Sequence, residues 1–432
     1  MPTSRSLIPK AQVQPFVDSE SRLGILHAGG PAPGGNQVIY AASLRARDHG
    51  LPILAFKQGY QHLMTKSAEE VESGWSMLIG REEIRYLRDQ VSLLTGSGRA
   101  NPGQNVRTGA DMTDPERTAP LGRVIEVLDE LRIGALISVG GDDTMRSANL
   151  IQMHLDGLLA KGKAPKYFRG VVHVPKTIDK DTPGIDYTFG YMSAAEVIGD
   201  RVKALHDDAK ATATETELVY HVAEIMGRSA GWLCAAASVY GQATYAIVPE
   251  EFEAWGGVTM ARLADDCCDV ILTRKRQGKH YGVITIAEGL GDLLPAIDVN
   301  KDEFGHTRLD ELKIAVHLAD AIKRELSERV DIQIKLRSRT FGYEARQVRP
   351  NFFDVLLSQR LGVSAVDAIL RGYFGHLVSV EGVLSAKFIP FSTLIDPETL
   401  KMHSWHMSKE EGLYRLMLSM QQQFDVDVEK KT

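Results

Sequence analysis

Residues 174–184 read VPKTIDKDTPG, a run rich in side chains that handle phosphate and protons. Lys176 and Lys180 carry ammonium groups, Asp179 and Asp181 are carboxylates two positions apart, and Thr177 adds a hydroxyl, all directly after an apolar stretch. A lysine is a point-charge donor suited to phosphate. The plainer reading is a charged turn, since Pro-, Gly- and Asp-containing segments are ordinary turn material. Two other segments weigh against it. In AGGPAPGGN (28–36), Gly29, Gly30, Gly34 and Gly35 let backbone approach a ligand, and a helix predicted to follow offers N–H groups and the positive end of its dipole. It lacks the Walker A ending and is no GxGxxG fingerprint. VGGDDTMRSAN (139–149) sets Asp142 and Asp143 at a predicted helix start. There one of them could simply be an N-cap, or the pair could hold Mg²⁺, which takes one or two carboxylates plus substrate phosphates.

All three segments follow apolar runs of strand length. Nine such runs are visible, at 22–28, 51–56, 135–140, 170–175, 218–225, 244–249, 281–288, 331–337 and 376–380, separated by amphipathic helical stretches. Continuous apolar strands alternating with helices predict parallel sheets and an α/β protein. Nine strands are too many for one small sheet, and their spacing is too uneven for a TIM barrel, so two doubly wound, Rossmann-like lobes are expected. The first spans 20–188 with a return segment 346–432, the second 189–345. The first ~20 residues and the charged end DVDVEKKT read as loose termini. In open α/β sheets ligands bind outside the carboxyl ends of strands. The glycine-rich, acidic and mixed segments therefore converge on one edge of the first lobe, which a bland turn does not explain.

Later strand ends carry EIMGRSAGW (224–232), AEGLGD (287–292) and RSRTFGYEARQVRP (337–350). The first is expected to place Arg228 in the opening turn of a helix, where the dipole disfavours a cation and an anionic ligand would explain it. Arg337, Arg339, Arg346, Arg349 and Arg360 offer guanidinium forks for phosphate. A net charge of −6 over 432 residues argues against non-specific nucleic-acid binding. No apolar run approaches the ~20 residues of a membrane helix, and the start lacks the apolar core of a signal peptide. Three cysteines, Cys234, Cys267 and Cys268, form neither a disulfide framework nor a metal spacing, which points to a reducing compartment and the cytoplasm.

Taken together, GGPAPGGN, GGDD, PKTIDKD, MGRSAG, AEG and GYEAR, in that order between about 22 and 375, resemble the phosphofructokinase family. The resemblance implies the two-lobed phosphofructokinase fold and transfer of a phosphoryl group to the 1-hydroxyl of fructose 6-phosphate, with Mg²⁺. It implies Asp179 as base, Asp142 as magnesium ligand with Asp181 and Thr177 assisting, and Gly30 and Arg99 facing the donor. Met226, Gly227, Arg228 and Glu288 would line the sugar, Tyr343 and Arg346 its 6-phosphate. Arg337 matches an arginine that relatives supply from a neighbouring subunit, implying a homodimer or homotetramer. ATP-using relatives usually have glycine at the positions of Asp143 and Lys176; this pair resembles the branch that uses pyrophosphate. Departures are Lys180 in place of the usual asparagine, Val219 in place of an arginine, and QVRP in place of glycines after the last motif. The expected activity is reversible, pyrophosphate-dependent phosphorylation of fructose 6-phosphate in glycolysis or gluconeogenesis. An ATP-dependent kinase of fructose 6-phosphate or sedoheptulose 7-phosphate is the alternative. A non-catalytic, metabolite-binding subunit is the other, against which Asp179 and Arg228 both stand.

Overall fold

The computed structural model describes residues 20–253, 256–294, 309–402, 404–410 and 412–421; the two ends read as loose termini lie outside them, apart from Glu20. All nine expected strands form, and three short ones join them. The chain divides into two units, one of Met1–Thr177, Thr182–Phe189 and Pro350–His403, the other of Ile178–Asp181, Gly190–Arg349 and Ser404–Thr432.

The strands are β1 (Arg22–His27), β2 (Ile53–Phe56), β3 (Ser76–Leu78), β4 (Ile133–Gly140), β5 (Val171–Thr177), β6 (Phe189–Gly190), β7 (Glu217–Ile225), β8 (Tyr245–Ile247), β9 (Tyr281–Ala287), β10 (Gln333–Phe341), β11 (His376–Glu381) and β12 (Ser385–Pro390). In the first unit they run in the order β12-β11-β5-β4-β1-β2-β3, with β6 pairing β5. The centre is parallel, whereas β3 and β12 are antiparallel edges. Those edges are the strands that apolar patterning misses, because SML and SAKFIP are short and partly exposed.

Period-two alternation divides the central strands between two cores. Leu23 and Ile25 of β1 and Ala135, Ile137 and Val139 of β4 pack with helices Gly35–Asp48 and Phe352–Leu370. Leu26 and Leu136 join the opposite core with Pro115–Glu130 and Asp142–Ala160. This is the doubly wound arrangement.

In the second unit β10-β7-β9-β8 form a parallel sheet. Leu218, Tyr220 and Val222 of β7 pack on Met260–Arg276 and Ile314–Arg329. Helices Tyr191–Thr212 and Trp232–Gly241 approach closely at two glycines: a Cβ on Gly199 would sit 2.4 Å from Tyr240 Cδ1, and one on Gly241 2.6 Å from Gly199 O. The segment from Ser404 onward groups with this unit rather than returning with the first. Its bonds explain why: Met407 N–H donates to Glu250 (3.0 Å) and Gln421 Nε2 to the Ala246 carbonyl (3.2 Å). Residues 178–181 also group with the second unit, so the phosphate-handling run divides between Thr177 and Ile178.

Helices Gly35–Asp48 and Phe352–Leu370 meet at Gly362, where an added Cβ would lie 2.4 Å from the Val38 carbonyl oxygen and 3.0 Å from Ala42 N. Alanine is the better helix former by ~1 kcal/mol, but overpacking costs roughly 1–3 kcal/mol, so packing wins. Gly362→Ala should lower the thermal midpoint. Gly157→Ala, at an exposed helical site with nothing within 4 Å, should raise it. Paired melting curves check both signs.

Candidate active site

In the first unit, strand register brings three segments together. His27 pairs with Val139 and Gly140 with Pro175, so β1, β4 and β5 end side by side. The helix after β1 has Gly34 as N-cap in the left-handed region (φ 104°), and the helix after β4 has Gly141; neither can cap with a side chain. Other helices are capped by Asp114, Thr259 and Asn351. Backbone N–H groups at the positive ends of these two helices are thus not taken by an N-cap side chain, although Ser358 Oγ packs against Gly34, 2.3 Å from where a Cβ would stand. Asp142 and Asp143 are the first two helical residues, not the N-cap, so the capping explanation fails. Gly140 is obligatory, because a Cβ there would lie 2.3 Å from Thr144 Cβ.

Lys176 is buried and donates to the Gly30 carbonyl. A Cβ on Gly29 would lie 3.7 Å from Thr144 Oγ1 and 3.8 Å from Lys176 Nζ, which defines a small cradle. The loop bearing Arg99 is stitched to this edge: Gly29 N–H donates to Gly98 O (2.9 Å), and Ser97 Oγ to Gly29 O (2.5 Å). Arg99 itself is exposed. Below lie two fully buried imidazoles that sequence reading did not single out. Burial, with the Lys176 charge, lowers the His27 and His173 pKa values to about 3, so both rings are neutral. His173 Nε2 lies 3.1 Å from the Gly140 carbonyl, to which the neutral ring can donate.

Asp142 and Asp143 present carboxylate oxygens, the donors a hard divalent cation takes. Among the described residues no group of three or more His, Cys, Asp or Glu gathers as a metal site. The donor set fits a magnesium ion that keeps waters and draws its other ligands from substrate phosphates.

In the second unit, Ile225 pairs with both Phe341 and Ala287, so β10, β7 and β9 also end level. They deliver the segments beginning Gly342, Met226 and Glu288. Close approach again needs glycine: a Cβ on Gly342 would lie 2.6 Å from Met226 Cβ, and one on Gly289 2.3 Å from Arg228 O. Glu288 Oε2 accepts from Gly227 N–H at 3.1 Å, tying two segments together. Arg228 is not in a helical turn. It sits in the preceding loop at φ 44°, in a turn closed by Ala230 N–H donating to Gly227 O at 3.0 Å, and the helix begins at Trp232. Arg346 stacks on Tyr343 with its guanidinium 4.8 Å from the ring centroid, and Tyr343 is exposed. Arg337 lies on the edge strand 3.5 Å from Asp208. Arg360 belongs to the first unit, where its Nε donates to Leu384 O at 2.9 Å. Val219 is buried in β7. Asp179, Lys180 and Asp181 fall in this unit, with Lys180 at φ 57° between the rings of Trp232 and Trp405.

The phosphofructokinase family profile matches residues 22–369. The chain belongs to the phosphofructokinase family. It is 34% identical over 391 residues to the pyrophosphate–fructose 6-phosphate 1-phosphotransferase of Thermotoga maritima, covering 88% of this chain and 85% of that one. A protein of the same name from Naegleria fowleri is 30% identical, covering 92% and 86%. The ATP-dependent 6-phosphofructokinase of Corynebacterium efficiens is 29% identical, covering 84% and 90%. The fold is similar to the solved pyrophosphate-dependent phosphofructokinase of Nitrosospira multiformis, with TM-score 0.67, 19% identity, and 93% and 91% of the chains covered. The chain has no helix among its described residues long and apolar enough to cross a membrane. Its three cysteines are buried and free.

The buried histidines give a pH test. The unfolded chain takes up protons near pH 6.5 that the folded rings refuse until about pH 3. Stability should therefore fall as pH drops through that window, by up to about 1.4 kcal/mol per pH unit for each ring. In urea melts, His173→Gln should shallow this slope between pH 6.5 and 5 by one proton's worth. An unchanged slope would mean that His173 is charged in the fold.

Proposed function

We propose that the chain catalyses reversible transfer of a phosphoryl group from pyrophosphate to the 1-hydroxyl of fructose 6-phosphate. One observation carries this reading: a buried Lys176 ammonium at the Gly29–Gly30 cradle, with Asp143 in the neighbouring helix's first turn. A nucleotide donor would bring an α-phosphate and its ribose to an edge already holding a carboxylate. At ~4 Å and an effective dielectric of ~20, that repulsion is about 4 kcal/mol. Compact pyrophosphate needs no such room, and Lys176 stabilises charge that grows during transfer. ATP remains the competing donor, since family members named for ATP share similar identity with this chain.

In this reading Gly30 and Arg99 bind the donor. Asp142 would hold magnesium, which supplies charge neutralisation to the phosphate oxygens when bound. Thr177 and Asp181 assist there or at the substrate. Asp179 accepts the proton of the attacking hydroxyl; a loose phosphoryl-transfer transition state asks little of a weak base until late. Met226, Gly227, Arg228 and Glu288 receive the sugar, with Glu288 already holding the Gly227 amide in place. Tyr343 and Arg346 take the 6-phosphate. Arg337, on an edge strand, serves a second copy of the chain in a homodimer or homotetramer working in the cytoplasm.

Donor kinetics test the assignment. Wild type should use pyrophosphate with negligible ATP turnover. Asp143→Gly should raise ATP kcat/KM some 30- to 1,000-fold, equivalent to about 2–4 kcal/mol. Lys176→Gly should instead damage pyrophosphate turnover. Efficient ATP use by wild type, or an Asp143→Gly enzyme still blind to ATP, would overturn the donor assignment.

Asp179→Asn should keep the fold and fructose 6-phosphate affinity while lowering kcat by about 10²–10⁴-fold. Single-turnover assays beside a calorimetric binding titration separate the two. A folded variant with full kcat removes Asp179 from the chemistry.

A further inference from the structure

The segment Ile178–Asp181 has to hold Asp179 still, yet Lys180 beside it occupies the left-handed region at φ 57°. A long, Cβ-bearing residue there costs free energy that asparagine or glycine largely avoids, so something outside the loop must hold it. Lys180 is buried with its Nζ 3.7 Å from the centroid of the Trp232 ring and 4.2 Å from that of Trp405. The rings are 4.8 Å apart between centroids and tilted by 50°. They are also bonded to each other and to the loop. Trp232 Nε1 donates to the Trp405 carbonyl at 2.9 Å, and the Trp405 N–H donates to the Asp181 carbonyl at 2.8 Å. Two residues further, Met407 N–H shares Glu250 Oε1 with the N–H of Gly231, the N-cap of the Trp232 helix.

We propose that Trp405 and Trp232 are positioning residues that clamp Lys180 and thereby fix the carboxylate of Asp179, making the segment around Ser404–Met407 part of the catalytic apparatus. The proposal rests on Asp179 acting as base. Desolvated cation–π contacts help to hold the ammonium, and two aromatic faces bind it more firmly than one. The backbone bond from Trp405 to Asp181 turns that grip into a fixed loop position. Trp405 does not touch reacting atoms, so its loss should lower turnover and not substrate affinity.

The test uses the full chain with Trp405→Ala, Trp405→Phe, Lys180→Met and Lys180→Arg. Trp405→Ala and Lys180→Met should each lower kcat about 5- to 30-fold, with KM for fructose 6-phosphate and donor within about twofold. Trp405→Phe and Lys180→Arg should recover most of the loss. The double variant should lose no more than either single one, because both changes release the same clamp. Hydrogen exchange supplies a readout independent of activity. Amides 178–182 and that of Trp405 should exchange about tenfold faster in Lys180→Met, while the global thermal midpoint stays put. If wild type proves inactive with pyrophosphate, the functional reading fails, and exchange still decides the clamp. Unchanged kcat and unchanged exchange in Lys180→Met would overturn it. So would additive losses in the double variant, or a rise in KM alone. Should Trp405→Ala not fold, Lys180→Met decides.

Discussion

A buried ammonium group constrains the strand-end edge of the first unit more than any other feature. Removing Lys176 from water is costly unless it is answered by oriented dipoles or countercharge. The Gly30 carbonyl is one such dipole, and Gly29 before it sits at φ 78°, a conformation that suits glycine. The same charge helps keep His27 and His173 neutral beneath it, so the layer under the site adds no second cation. Gly140 then has to be glycine, because Thr144 folds back against it. Remove the ammonium, and the reason for much of this glycine-rich geometry goes with it.

The second unit meets a similar demand by other means. Its strand-end segments are pinned by a carboxylate, Glu288, on the Gly227 amide, and by close glycine contacts at Gly289 and Gly342. Lys180 lies against the faces of two indoles. Glu250, whose pKa burial raises, accepts two backbone N–H bonds, so one side chain fastens both the start of a helix and a distant stretch of chain.

Much of this is visible in the sequence, for identifiable reasons. Buried parallel strands are continuous apolar runs, so β1, β4, β5, β7 and β9 stand out. Edge strands such as β3 and β12 carry no such run, and pairing from a neighbour creates them. Gly140, Asp142 and Lys176 are legible because ligand chemistry at a strand end needs unusual residues close together in sequence. The helix after Arg228 starts a turn later than MGRSAG suggests, because a helix start depends on where the chain stops turning, and SerAlaGly does not reveal that. His27 and His173 read as ordinary strand residues; only the surrounding burial makes them chemically distinctive. Trp405 lies far from the loop it holds, so no local pattern connects it to Lys180.

The chain leaves the first unit at Gly190 and does not return to it until Pro350. Helix Phe352–Leu370, which covers one face of the first sheet, and strands β11 and β12 are therefore synthesised only after that stretch. A ribosome adding about 5–20 residues per second needs on the order of ten seconds or more to cross the intervening stretch. During that interval Leu23, Ile25, Val38 and Ile39 have no Leu357, Leu361 or Val366 to pack on. The nascent chain must carry an uncovered apolar face while most of the second unit emerges behind it.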